Sequence, residues 1–274
     1  MHQFAPELTG KADRAVSGLW LASLRAPEIA EQFDALGLDA TERYFPARVA
    51  PLGPASLELT VATFFNFAPR AVARAIPGAW EKATPRQVLD AQLTGIDGAL
   101  RRAFASLDEG IVKEALDLLR PVAEAAAEHV EGRPLFAGYA SLPWPDEPHL
   151  ALWHAHYLVR EFRGDGHIAV LTADGITGVE ALCLHIAQLP MLGPIFRQSR
   201  AWTDAEWAAT VGSLRARGWL ADGDELALSE QGAERRNQIE HRTDVLEVPA
   251  YAPIGQAGCE RLIELGAPIA KALA

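Results

Sequence analysis

Cysteine is nearly absent. The 274-residue chain has two, Cys183 and Cys259, each alone in an apolar helical context, which argues against a disulfide scaffold and fits a reducing compartment. Lysine is scarce, and acidic residues outnumber basic ones by 36 to 25, for a formal net charge of −11. Nucleic-acid affinity draws largely on basic groups that displace phosphate counterions, so an acidic chain starts at a disadvantage there. No apolar run approaches the ~18 residues that span a bilayer. The N-terminus lacks the charged, apolar and small-residue order of a signal peptide. These absences predict a cytoplasmic protein with no membrane partner. A glycine-rich phosphate loop, a Gly-x-Ser-x-Gly elbow and a dinucleotide fingerprint are also missing, so no cofactor is expected. There is no Cys-x-x-Cys or His-x-x-x-His pair. His154 and His156, like Cys183 and His185, are two apart and point to nearly opposite sides of a helix, so no metal is expected either.

What is present suits a packed, mainly α protein. Hydrophobic residues make up 49% and charged residues 22%, enough to bury the core of one large domain or two small ones. Apolar residues recur at helical spacing over 11–24 and 27–36, and Gly37 ends the second segment. Tyr44–Pro54 holds three prolines and must include a loop or kink. Helices are expected at about 55–67, 69–76, 85–106 and 109–128. Four prolines in 132–148 predict a connector without regular helix, and its Phe136, Tyr139 and Trp144 predict that it packs on the body. A helix at about 149–163 should stop at Gly164-Asp-Gly166. Residues 1–131 form a helical half, 149–248 a second half, and 249–274 an apolar helical tail that either packs on the body or serves a homodimer.

The second half carries the most diagnostic stretch. Thr177-Gly-Val-Glu180 and Thr203-Asp-Ala-Glu206 are capping boxes, and the helix from Thr203 runs to about Arg217. Then come Gly218-Trp-Leu220, the tight turn Asp222-Gly-Asp224, the alternating Glu225-Leu-Ala-Leu-Ser229, and a helix from Ser229 to about Asp244. Helix, hairpin, helix is a winged-helix layout. Over about 176–244 it resembles the DNA-binding unit of MarR-type regulators, through Leu214, Gly218-Trp219-Leu220, Leu228-Ser229 and Gly232. The resemblance implies a winged-helix unit whose helix before the wing reads the major groove.

An internal repeat extends this reading. Arg48-Val-Ala-Pro-Leu52 lies on His167-Ile-Ala-Val-Leu171, and each is followed by a glycine and a helix, with Glu58 or Glu180, ending at Pro69 or Pro190. Ala79-Trp80 precedes the capping box Thr84-Pro-Arg-Gln87, as Ala201-Trp202 precedes Thr203. Identity between the halves is low, and two readings stay open: a true duplication, giving tandem pseudo-symmetric winged-helix-like halves with the first wing degenerate, or chance similarity of alanine-rich helices. Nearly the whole chain is also similar to an actinobacterial family described only as helix-turn-helix. Arg48–Pro54, Phe64-Phe-Asn-Phe-Ala-Pro69, Leu142–His149, Arg163-Gly-Asp-Gly-His167 and Ile239–Asp244 carry that similarity, which implies no particular activity.

The charges argue against a DNA reader. The helix before the wing begins with Asp204 and Glu206, the wing is Asp222-Gly-Asp224-Glu225, and Arg215, Arg217, Arg235 and Arg236 lie toward the far helix ends. DNA therefore stays a disfavoured partner. A small apolar or aromatic ligand, held between the halves, is the favoured one. His154, Tyr157 and Glu161 share a helix face by their spacing. Arg160, Arg163, Asp165 and His167 cluster around two glycines, and Asp165 could orient His167 for metal-independent acid–base catalysis. The bland alternative is an Arg–Asp pair that caps two helices. Asn66 lies among Phe64, Phe65 and Phe67, where a buried amide needs a partner in the core or a ligand. Tyr44, Arg48 and Trp144 complete the predicted site. Three functions stand at this point: a small-molecule-binding protein on a winged-helix scaffold, with or without catalysis by Asp165 and His167; a ligand-responsive MarR-like regulator reading DNA through 203–217; and a structural protein with no cavity.

Overall fold

The structure, a computed structural model, describes residues 4–274. Short helices open the chain: α1 (Glu7–Ala15), α2 (Gly18–Arg25) and α3 (Pro27–Ala35). The first two were expected as one helix, and the chain turns between them at Val16 and Ser17. In the proline-rich segment, α4 (Tyr44–Val49) passes into a 3-10 turn at Ala50–Leu52, the kink that the prolines required. Then follow α5 (Leu57–Thr63), α6 (Pro69–Val72), α7 (Ala79–Lys82), α8 (Pro85–Ala103) and α9 (Glu109–Ala126).

Two expectations for the middle of the chain fail. Residues 132–148 do contain a helix, α10 (Pro134–Ala140), because Pro134 sits at its first position, where a missing N–H costs nothing. Phe136 and Tyr139 bury it against the body. The larger correction is α11 (Pro148–Ala173), which runs unbroken through Gly164-Asp165-Gly166. Each mid-helix glycine costs roughly 1 kcal/mol. Burial of each large apolar residue of α11, such as Leu152, Tyr157, Val159 and Phe162, returns about 1.5–3 kcal/mol. Tertiary packing on α9 and α10 wins. A methyl group on Gly164 would meet only Glu161 Oε2, at an ordinary 3.7 Å. Gly164→Ala is therefore expected to add about 0.5–1 kcal/mol of stability, seen as a higher urea midpoint. A lower midpoint would mean that the helix is interrupted there in solution.

Beyond α11 lie α12 (Gly178–Gln188), α13 (Gly193–Arg200), α14 (Asp204–Ala216), α15 (Glu230–Tyr251) and α16 (Gly255–Ala272). Capping boxes start α8, α12 and α14 at Thr84, Thr177 and Thr203. The two expected wing strands reduce to one antiparallel bridge, Leu220 with Leu228, and no strand forms among the described residues. A lone hairpin is marginal without a third strand, and side chains hold this one instead: Ser229 Oγ donates to Gly218 O and Arg215 Nε to Ala221 O.

The main core draws on both halves, from Phe4 to Ile269. Two smaller clusters lie in the second half, one around Val170, Ile176 and Ile239, on which Phe65 packs, and one around Cys183, Leu214 and Leu220. α16 packs on α1, burying Leu262, Leu265 and Ile269. No single helix among the described residues is long and apolar enough to cross a membrane.

Candidate functional site

Six aromatic contacts among Tyr44, Phe45, Phe64 and Phe67, with ring centroids 5.0–6.2 Å apart, build one wall from the ends of α4 and α5. α2 adds Trp20, α11 supplies the floor, and α12 and α13 close the far side. Between them lies a cavity of about 680 Å³, within the range of small-molecule sites. From the predicted site it gathers Tyr44, Arg48, Phe64 and Asn66, together with Arg160, Asp165 and His167 of α11. Arg48 and His167 thus meet in one chamber.

Arg48 anchors the floor. Its Nη2 donates to both oxygens of Glu161, at 2.6 and 2.8 Å, and its Nη1 to Tyr44 Oη at 3.0 Å. Burial works against the Arg48 charge, but the Glu161 carboxylate more than compensates and holds the guanidinium well above its ordinary value. Arg160 donates to the same Glu161 oxygen at 2.8 Å and stacks 3.7 Å from the Trp20 ring.

Asp165 and His167 are not a pair. Two residues apart on a continuous helix, they diverge by about 200°. Asp165 instead accepts the Phe136 backbone N–H at 3.0 Å, and burial pushes its carboxyl up to about 6. His167 Nδ1 lies 2.9 Å from Thr243 Oγ1, whose own hydroxyl is donated to Ile239 O. Nδ1 must then carry the proton, leaving Nε2 as an acceptor. Burial pulls the imidazole down to about 4, so it is neutral near neutral pH.

Four predicted residues lie elsewhere. Trp144 stacks on Arg120 and meets the buried His154 edge-on at 5.0 Å, away from the chamber. Burial lowers His154 to about 4. Tyr157 Oη bonds Tyr139 Oη in the core behind Arg48. Arg163 faces Glu240, Asp244 and Glu247 on the other side of α11. In their place the fold brings in Glu161, which the sequence placed on a face with His154 and Tyr157, and Trp20, His185, Phe196 and Arg200, which were not chosen from it. Among the described residues no cluster of three or more His, Cys, Asp or Glu is placed to hold a metal ion. The Asn66 side chain lines the chamber, while its backbone carbonyl accepts the Trp202 indole N–H at 2.9 Å.

That last bond belongs to a seam between the halves. Ala68 N donates to Arg200 O at 3.0 Å, and Arg70 reaches Ala201 O and both oxygens of Glu206. Gly178, opening α12, sits so close to Phe65 that a Cβ there would fall 1.8 Å from the Phe65 carbonyl oxygen. The first turn of α14 is thus tethered to α6, and Asp204 is bound by Arg197. The basic residues nearby are also engaged. Arg215 Nη2 donates to Gly223 O, Arg217 pairs with Glu180, and Arg235 pairs with Asp174.

Compared with known proteins, residues 9–274 match the profile of a helix-turn-helix family, and the chain belongs to that family. No curated protein and no solved structure matches it.

Proposed function

We propose that this helix-turn-helix protein binds a small, largely apolar molecule in the chamber between its halves. The observation that carries the reading is the chamber itself, walled by aromatic rings from one half and closed by α12 and α13 of the other. α11 sets Arg160, Glu161, Asp165 and His167 into it, and Arg48, Arg200 and Arg236 join them from other helices, polar groups that can orient a ligand. The same reading takes the region from α12 to α15 as a winged-helix unit and the first half as its degenerate copy. Catalysis by an Asp–His pair has no geometric support, since Asp165 and His167 serve different partners.

Family membership favours a second reading, a ligand-responsive MarR-like regulator that binds DNA. Against it, the helix end that such a regulator turns toward bases is tied here to Arg70 and carries Asp204 and Glu206. The two readings part in one experiment. Phenylnaphthylamine, an uncharged fluorescent aromatic, should bind the protein, and Ile168→Trp, which fills the chamber from a half-buried position, should weaken it at least about tenfold. No binding, or binding untouched by Ile168→Trp, sinks the chamber reading. A tight low-salt mobility shift with the protein's own upstream DNA would favour the regulator instead.

A further inference from the structure

The chamber has the wrong charge for a purely apolar guest. In a chain of net charge −11, it is lined by Arg25, Arg48, Arg160, Arg200 and Arg236, against the carboxylates of Glu161 and Asp165 alone. Glu161 is shared by Arg48 and Arg160, and Arg236 is taken by Glu240. Arg25 is exposed to solvent, and of the remaining four only Arg200 has no carboxylate. It meets no carboxylate among the described residues, and its one hydrogen bond is from Nη1 to Ser199 Oγ, at 2.8 Å.

Arg200 is nonetheless firmly placed. Its guanidinium lies 4.2 Å from the centre of the Phe67 ring and 4.3 Å from that of Phe196; the residue is half-buried, with its Nε out of solvent and without a partner. Arg48 leans on Phe64 of the same aromatic cluster, 4.8 Å from its ring. The two guanidiniums are near enough that Arg48 adds to burial in pulling the Arg200 pKa below its ordinary value, with Tyr44 opposing. A half-buried cation with an unpartnered Nε, no counter-charge and a like charge beside it is costly. It is the arrangement that a planar oxyanion would relieve, taking the fork's parallel N–H groups.

We propose that the chamber's ligand is an aromatic or polycyclic oxyanion, its charged group held by Arg200 beside Arg48 and its rings lying against Phe64, Phe67 and Phe196. This deepens the small-molecule reading and rests on it. Asn66, on the same wall, is free to accept or donate to a second polar group of the guest.

The test uses a matched pair of probes on the full chain. Anilinonaphthalene sulfonate carries an oxyanion, and phenylnaphthylamine is the same skeleton without it. Arg200→Met should weaken the sulfonate about tenfold and leave the uncharged probe within about twofold. Thermal unfolding should show Arg200→Met no less stable than the parent, since no carboxylate loses a partner. Arg200→Gln, which stays polar, repeats the test should Arg200→Met fold poorly. Naphthoate and naphthyl phosphate should displace the sulfonate, the tighter of them identifying the kind of oxyanion. Equal loss of both probes, no loss of either, or displacement by neither anion overturns the proposal while leaving an apolar chamber intact. Failure of the uncharged probe to bind the parent protein would instead sink the chamber itself.

Discussion

Arg48→Met is expected to cost about 3–5 kcal/mol of folding stability, the range for stripping one partner from a buried ion pair. The Arg48 and Glu161 side chains are 6% and 2% exposed, so neither charge can fall back on solvent. Removing Arg48 leaves Glu161 with Arg160 alone, which is partly exposed. It also takes the hydrogen bond from Tyr44 Oη. Glu161→Gln should be at least as damaging, because Arg48 and Arg160 then face each other, with Arg200 nearby, and no carboxylate between them. The double variant Arg48→Met, Glu161→Leu removes both charges, and most of the loss should return, since well-packed apolar replacements of a buried pair are often neutral. Urea unfolding of the parent, Arg48→Met, Glu161→Leu and the double variant gives the coupling directly. A loss under about 1 kcal/mol in each single variant would mean that water reaches the pair in solution.

The pair also shows what the sequence made legible. Tyr44, Arg48 and Asn66 stood out as polar groups among apolar neighbours such as Phe64, a local signal, and all four do share the chamber. The caps of α8, α12 and α14 were equally local, each fixed by a Thr and the side chain three residues on. α11 was not. Its glycines read as a break because their cost is local, while the burial that outweighs it comes from α9, α10 and α15, all distant in sequence. That one misreading disturbed the rest of the site. With the helix broken at Gly164, Asp165 and His167 could be imagined side by side. With it continuous, Asp165 faces α10 and His167 faces Thr243. His154 shares a stripe with Glu161 but lies about 10 Å further along the axis, and Arg163 projects to the opposite side. Arg200 had no local signal at all. In Phe196-Arg-Gln-Ser-Arg200 it reads as an ordinary solvated charge, and only the approach of Phe67 from the other half makes it unusual.

Arg163, misplaced in the chamber, has a different expected effect. It donates from Nη1 to Asp244 Oδ1 at 2.7 Å and to Glu247 Oε2, and from Nη2 to Glu240 Oε2 at 3.0 Å. One cation therefore serves three carboxylates in the joint between α11 and α15, and Thr9 Oγ1 ties α1 to Glu247 at 2.9 Å. Such a cluster cannot ionise fully. Glu247 is the member that yields: burial pushes its carboxyl up to about 8, with Arg163 opposing. Its Oε1 has no hydrogen-bond partner, an arrangement that an ionised carboxylate tolerates badly. A carboxyl whose folded pKa is raised stabilises while it holds its proton. That contribution is complete below the ordinary value of 4.5 and is lost as pH rises through about 8. Across this window the Glu247 contribution should fall by on the order of 1 kcal/mol per pH unit. Glu247→Gln keeps the bonds from Thr9 and Arg163 to the side-chain oxygen but carries no titrating proton. It should match the parent at low pH and surpass it above neutrality, flattening the fall. Arg163→Met acts in the other direction, leaving Asp244 and Glu247 without their cation while Glu240 keeps Arg236. It should cost about 3–5 kcal/mol near neutral pH and recover much of that in acid, as the carboxylates take up protons. Unfolding curves of the parent and both variants from about pH 5 to 9 decide the matter. Parallel pH profiles for the parent and Glu247→Gln would show that Glu247 is ionised in the folded protein.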